Sequence, residues 1–276
     1  MEPIASAPPI ALTIAGSDPS GGAGIQADLK SFSAYGVYGA SVITALTAQN
    51  TTGVSGVFGI PSDFIAAQFH SVTSDLAVSA IKTGMLADAE TVRLVAQLVA
   101  EIPDVPIVVD PVMVATSGDV LLAPDAIQSV RGDLIPRALL ITPNIPEAAK
   151  LLNVAPATSE AEMCAQAQAL MAFGCGAVLL KGGHVAGADA LDVLFDGAAH
   201  HVLRRPWVET RNTHGTGCTL SAAIAANLAL GLPLRDAVTA AKDFVWNALR
   251  SGAGRSIGRG AGPLDHHFAS RKPRTP

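Results

Sequence analysis

Charge is scarce in this chain, and a basic excess is absent. Only 15% of the 276 residues are Asp, Glu, Lys or Arg, and the net charge is −5. A nucleic-acid partner would need a basic face, so the charge balance argues against that class of function. Phosphate ligands are not excluded, because backbone N–H groups bind them without side-chain charge. Cysteine is sparse as well. Cys164, Cys175 and Cys218 form no C-x-x-C pair, and an odd number makes a poor disulfide framework, which points to a reducing, cytoplasmic setting. No zinc-type cluster stands out, since His200-His201 and His266-His267 are neighbours in sequence and rarely face one site. No uncharged run suits a membrane span; the longest candidate, 218–234, is broken by Ser221, Asn227 and Pro233. The opening MEPIASAPPI carries Glu2 and no Lys or Arg ahead of an apolar stretch, so no secretory signal is expected. Internal repeats, low-complexity linkers and the G-x-x-x-x-G-K-[ST] phosphate loop are all missing. If the chain handles ATP, it must hold the phosphates by other means.

What is present is apolar: 49% hydrophobic residues, enough for a sizeable core, with an alanine content that favours close packing of helices on a sheet. Short β-like runs alternate with helical stretches. Strands are expected at 11–16, 40–48, within 77–85, at 106–110, 138–144 and 176–183, with a hairpin turning at Asp196-Gly197. Helices are expected at 24–34, 61–72, 87–102, 146–152, 159–174, 216–230 and 235–250, with Ser159 and Glu162 spaced as a capping box. This alternation implies a mostly parallel sheet covered on both faces. Such folds bind ligands beyond the carboxyl ends of their strands, so Gly16, Gln49, Met85, Asp110, Asn144 and Lys181 become the informative positions. One domain is expected over 10–268, with mobile tails at 1–9 and 269–276.

The strongest local pattern is HGTGCTLSAAIAANLALG, residues 214–231. Gly215 and Gly217 precede an apolar helix whose first N–H groups and dipole would form an anion hole for a phosphoryl group in flight. Cys218 falls in the first turn, where its thiol pKa should be lowered. A plain glycine-rich helix start over a buried cysteine is the structural alternative. A second pattern, AGSDPSGGAGIQADLK at 15–30, contains G-x-G-x-x-A through Gly22, Gly24 and Ala27. A dinucleotide fingerprint would place an acid at the end of the next strand, but Gln49-Asn50 stands there, and the loop is too long for that turn. A substrate-gripping loop fits better. A third set, VVDPVMVATSGD, ITPNIPEA and LLKGGH, would emerge at one sheet edge. Asp110, Asn144 and Glu147 could hold Mg²⁺, and Lys181 could neutralise phosphate. Asn144 and Glu147 could equally cap the helix after Pro143. His214 could contact phosphate or pack the loop.

Together ALTIAGSDPSGGAGIQADLKSFSAYGVYGASVITALTAQNT, KTGML, DPVMVATSGD, ITPNIPEA, LLKGGH, THGTGCTLSAAIAA and GPLDHHF resemble the hydroxymethylpyrimidine/phosphomethylpyrimidine kinases of thiamine biosynthesis, a branch of the ribokinase-like superfamily. The resemblance runs from about residue 10 to about 268. It implies a three-layer αβα sandwich with a mostly parallel central sheet, commonly paired as a homodimer, and two successive transfers from MgATP. It implies a pyrimidine pocket at Gly16, Ala23, Asp28, Gln49, Met85, Val112 and Cys218. It implies nucleotide contacts at Asp110, Asn144, Glu147, Lys181, Thr213, His214 and Thr216, with Mg²⁺ on Asp110 and Glu147. Cys218, Gly215, Gly217 and Lys181 become the catalytic candidates. The Gln49 amide offers a donor and an acceptor, which suits an exocyclic amine beside a ring nitrogen. Many sugar kinases of the superfamily carry Asp where Cys218 stands, and a neutral thiol is a weaker base. Two alternatives remain: a pyridoxal or pyridoxine kinase, and a non-catalytic pyrimidine-binding regulatory module.

Overall fold

The computed structural model describes residues 7–114, 118–119, 121–123, 125–183 and 189–270. β1 (Ile10–Ser17) is buried through its middle six residues, as an apolar run in a sheet covered on both faces must be. The chain continues through α1 (Gly24–Ala34), β2 (Tyr38–Asn50), β3 (Gly53–Gly59), α2 (Ser62–Thr73), β4 (Val78–Thr83), α3 (Ala89–Val99) and β5 (Ile107–Val109). After a short α4 (Ala126–Ser129) and irregular turns to Arg137 come β6 (Leu140–Ile141), α5 (Ile145–Leu152), α6 (Glu160–Leu170) and β7 (Val178–Gly183). A hairpin of β8 (Asp189–Phe195) and β9 (His200–Pro206) precedes α7 (Thr216–Ala229) and α8 (Leu234–Gly252).

The strands form one sheet in the order β3-β2-β1-β4-β5-β6-β7-β8-β9. From β2 to β7 all neighbours are parallel, so six carboxyl ends meet at one edge; β3, β8 and β9 extend the sheet antiparallel. Alternate strand residues feed two cores. Leu12, Ile14, Ile81, Val109 and Ile141 belong to one, with apolar residues of α2, α3, α5 and α6. Ala11, Ala80, Val108, Leu140 and Leu179 belong to the other, with residues of α7 and α8. This period of two divides the molecule into three layers. Ala222, Ala223, Ala225 and Ala226 of α7 have no accessible surface, and their small side chains let that helix lie close on the sheet.

Two stretches without an expected element are ordered. β3 is an exposed, glycine-containing edge strand that lacks an apolar alternation. Residues 126–137 form α4, a wide π turn and a 3-10 turn around Pro136, none with helical periodicity. Ser159 caps α6 by accepting the Glu162 N–H at 3.2 Å, while the Glu162 carboxylate accepts from the N–H and hydroxyl of Thr158. The expected tails at 1–9 and 269–276 lie outside the described residues apart from 7–9 and 269–270; the Pro9 carbonyl accepts from the Tyr38 N–H at 2.9 Å. Among the described residues no helix is long and apolar enough to cross a membrane.

Candidate active site

Beyond the six carboxyl ends lie two adjoining cavities, of about 370 and 480 Å³. The first is lined by Gly16, Ala23, Gln49, Met85, Val112 and Cys218, among others. The second is walled by Trp207, Val208, Val245, Trp246 and Leu249, and Thr213 and Thr216 also face it. Asn144, Pro146, Lys181 and Gly217 line both, so the cavities meet where α7 begins.

The local sequence explains that meeting point. Gly215 precedes α7 in the left-handed region at φ 79°, and a Cβ there would overlap the Gly22 carbonyl. The first α-helical bond is from Thr219 N–H to Gly215 O, and Thr216 turns both its N–H and its hydroxyl back on the Thr213 carbonyl. The Gly217 and Cys218 N–H groups therefore stand at the helix mouth, where the dipole favours an anion. No acid lies in the first turn of α7 to fill that role. A Cβ on Gly217 would sit 3.2 Å from Lys181 Nζ and 3.7 Å from Asp110 Oδ2, so the mouth opens directly on these charges.

Asp110 and Lys181 pair at 2.8 Å. Thr142 and Ser221 donate to the two Asp110 oxygens, each at 3.2 Å. Burial would raise the Asp110 carboxyl, but Lys181 and then Lys82 outweigh it and hold the group below its ordinary value. Burial likewise would discharge Lys181, and Asp110 and Glu147 keep it charged. Glu147 goes the other way: burial, reinforced by Asp110 and opposed by Lys181, pushes it up to about 7. Asn144 and Glu147 form a complete capping box on α5, with reciprocal bonds of 2.9 and 2.8 Å. Capping and cavity lining are thus simultaneous. Hard oxygen donors on Asp110 and Glu147, both lining the first cavity, suit Mg²⁺, which keeps several waters and needs no all-protein cage.

Three expectations are corrected. The Cys218 thiol is pushed up to about 11, not lowered: burial dominates, Asp28 and Asp110 add to it, and Lys82 opposes. The helix dipole was legible locally; the desolvation was not. Asp28 does not line the cavity. Its oxygens, fully buried, take Lys82 Nζ at 2.9 and 2.8 Å and the Thr13 hydroxyl at 2.6 Å. His214 is not free to take phosphate through Nε2, which lies 2.8 Å from Asp18 Oδ2. Residues 115–117 of the DPVMVATSGD motif and His184 of LLKGGH lie outside the described residues.

Sequence reasoning missed Lys82, which lines the first cavity, and the two tryptophans of the second. A lysine inside the buried run VSAIKT was the available signal, because a buried charge demands a partner. Burial would discharge Lys82; Asp28 outweighs it and holds the ammonium charged. No comparable signal marked Trp207 and Trp246, which come together from β9's exit and α8.

A family model described as phosphomethylpyrimidine kinase matches residues 18–265. A hydroxymethylpyrimidine/phosphomethylpyrimidine kinase of Rhizobium meliloti is 54% identical over 94% of this chain and 97% of its own length. The thiamine biosynthesis bifunctional protein ThiED of Geobacter sulfurreducens is 49% identical over 94% of this chain and 52% of its own length. Among solved structures, the pyridoxal kinase of Staphylococcus aureus in complex with AMP-PCP and pyridoxal aligns with a TM-score of 0.87 at 33% identity, covering 96% of each chain.

Proposed function

The chain belongs to the phosphomethylpyrimidine kinase family, and from that premise we propose how its two cavities divide the reaction. It is a kinase of thiamine biosynthesis: ATP phosphorylates hydroxymethylpyrimidine to the monophosphate, and then the monophosphate to the diphosphate. The pyrimidine occupies the first cavity, its amine and ring nitrogen on the Gln49 amide, with Ala23, Met85 and Val112 as apolar walls. ATP occupies the second cavity, its base beside Trp207 and Trp246 and its terminal phosphate at Gly217. The observation that carries this reading is the shared wall of Asn144, Lys181 and Gly217 under the α7 N-terminus. It puts an acceptor oxygen and a terminal phosphate on opposite sides of one anion hole.

In each turnover the acceptor oxygen bonds to phosphorus as the bond to the departing ADP oxygen breaks. The N–H groups of Gly217 and Cys218 receive the spreading charge, and Lys181, kept cationic by Asp110, neutralises it. Asp110 and Glu147 would hold Mg²⁺ with its waters, and the ion would supply further charge neutralisation on the phosphates. The two transfers differ in one respect. The monophosphate offers an anionic oxygen, whereas the hydroxymethyl group must lose a proton as its O–P bond forms. Cys218, raised to about 11, is mainly a thiol at neutral pH and a poor acceptor for that proton, which leaves to a phosphoryl oxygen or water, so positioning outweighs proton removal.

The S. aureus likeness shows that this fold also serves a pyridoxal kinase, but the Rhizobium relative shares 54% identity against 33%, which favours the pyrimidine acceptor. Incubation with hydroxymethylpyrimidine and MgATP, followed by ³¹P NMR, should yield monophosphate and then diphosphate, with lower catalytic efficiency on pyridoxal. Absence of any phosphorylated pyrimidine contradicts the proposal. A homodimer is also proposed, because Leu46 and Phe58, cross-strand partners on the β2–β3 edge hairpin, are both exposed. Sedimentation equilibrium showing only monomer would remove it. A cytoplasmic setting is proposed from three thiols that form no disulfide, and fractionated cells would test it.

A further inference from the structure

The acceptor loop and the phosphoryl cradle come from opposite ends of the chain, and one contact joins their side chains. Asp18 follows β1. Its Oδ1 accepts from the N–H and hydroxyl of Ser20 at 2.8 and 2.7 Å. Its Oδ2 accepts from the N–H groups of Gly22 and Ala23 at 3.1 and 2.8 Å, and lies 2.8 Å from His214 Nε2. The loop is thus wound around one carboxylate. Burial alone would raise that carboxyl; bonds from His214, Ser20 and Ala23 outweigh it and hold it well below the usual carboxylate range. The His214 main chain is anchored as well, its backbone N–H donating to the Gly262 carbonyl at 3.0 Å. The His214 and Asp18 side chains border the first cavity yet are only 7% and 2% exposed, each turned onto the other.

We propose that Asp18 and His214 are a positioning pair that fastens the acceptor loop to the start of α7 and thereby sets the gap across which the phosphoryl group travels. Three groups depend on that fastening. Ala23 and Cys218 line the acceptor cavity, and the Gly22 carbonyl abuts Gly215 so closely that only glycine fits. A loosened tie moves all three at once. The expected loss falls on turnover and leaves ATP binding, which uses the second cavity, unchanged.

This inference rests on the first cavity being the acceptor site, and the test separates the two. Asp18→Asn and His214→Leu should each lower kcat on hydroxymethylpyrimidine about 100-fold, with the ATP KM held within about twofold. His214→Gln, which presents an N–H near the place of Nε2, should recover most of that loss. The Asp18→Asn/His214→Leu double variant should be no worse than the poorer single one. Iodoacetamide labelling of Cys218 in the unliganded protein, read by peptide mass, should quicken in His214→Leu and return to the wild-type rate in His214→Gln. If Asp18→Asn does not fold, the His214 series and its labelling decide. Additive losses, a His214→Gln as poor as His214→Leu, or unchanged labelling would overturn the pair. A wild-type protein that phosphorylates no pyrimidine would instead overturn the functional reading, and labelling would still judge the tie.

Discussion

The two cavities are built by different physics. The first rests on buried charges fixed in pairs, Asp28 with Lys82 and Asp110 with Lys181, and on the buried Asp18–His214 contact. The second contains one buried pair, Lys242 with Asp192 at 2.6 Å, but is mostly walled by aliphatic and indole surface, with Trp207 42% exposed at its rim and Arg250 stacked on Trp246 at 4.4 Å. Buried pairs tolerate little displacement, because a charge that loses its partner in a dry interior cannot be rescued by water. Apolar walls tolerate a good deal. Damage to the first region should therefore strike folding and turnover, whereas damage to the second should strike nucleotide affinity.

The largest effect expected is at Lys82. Lys82→Met leaves Asp28 buried without its cation and should cost about 3–5 kcal/mol in urea unfolding, with much of it returned by Asp28→Asn in the same chain. A stable Lys82→Met would show that the first region is less dependent on its pairs than proposed. Next is Lys181→Ala, which should lower kcat about 10²–10³-fold for both transfers while the pyrimidine still binds. Cys218→Ala follows, and it discriminates more finely. Turnover should fall about tenfold on hydroxymethylpyrimidine and by a similar factor on the monophosphate, because the raised thiol positions the acceptor and does not remove its proton. A loss confined to hydroxymethylpyrimidine would make the sulfur the base. In the second region, Trp246→Ala should raise the ATP KM about tenfold and leave kcat in place. A fall in kcat instead would erase the contrast between the regions.

The smallest effect concerns pH. Glu147 stands at about 7 in the folded chain against 4.5 for a free side chain, so between these values the native state binds more protons than the unfolded one. Its contribution to stability is full below pH 4.5 and disappears as pH rises through 7. The urea midpoint should therefore decline over that window more steeply in the wild type than in Glu147→Gln. Parallel curves would contradict the assignment.

The sequence made the layered architecture readable because its buried strands are punctuated by glycine and proline. The helix expected at 24–34 occupies those residues, and the strand-end positions Gly16, Gln49, Met85, Asp110, Asn144 and Lys181 reach the same cavity. Local patterns could carry that much. They could not carry pairings across distance. Lys82 and Asp28 are 54 residues apart, and His214 and Asp18 are 196 apart. The direction of the Cys218 shift was missed for the same reason, since the helix start is a local signal and its desolvation comes from Lys82's strand and α1 closing around it. β3 escaped notice because an exposed edge with three glycines has no face to bury.

The meeting of the two cavities at the mouth of α7 carries the whole account. A crystal structure with hydroxymethylpyrimidine and a non-hydrolysable ATP analogue examines it directly. The ring should lie on Gln49, the base beside Trp246, and the terminal phosphate on the N–H groups of Gly217 and Cys218 within reach of the hydroxymethyl oxygen. A ring seated between the tryptophans, or a terminal phosphate away from Gly217, would contradict it.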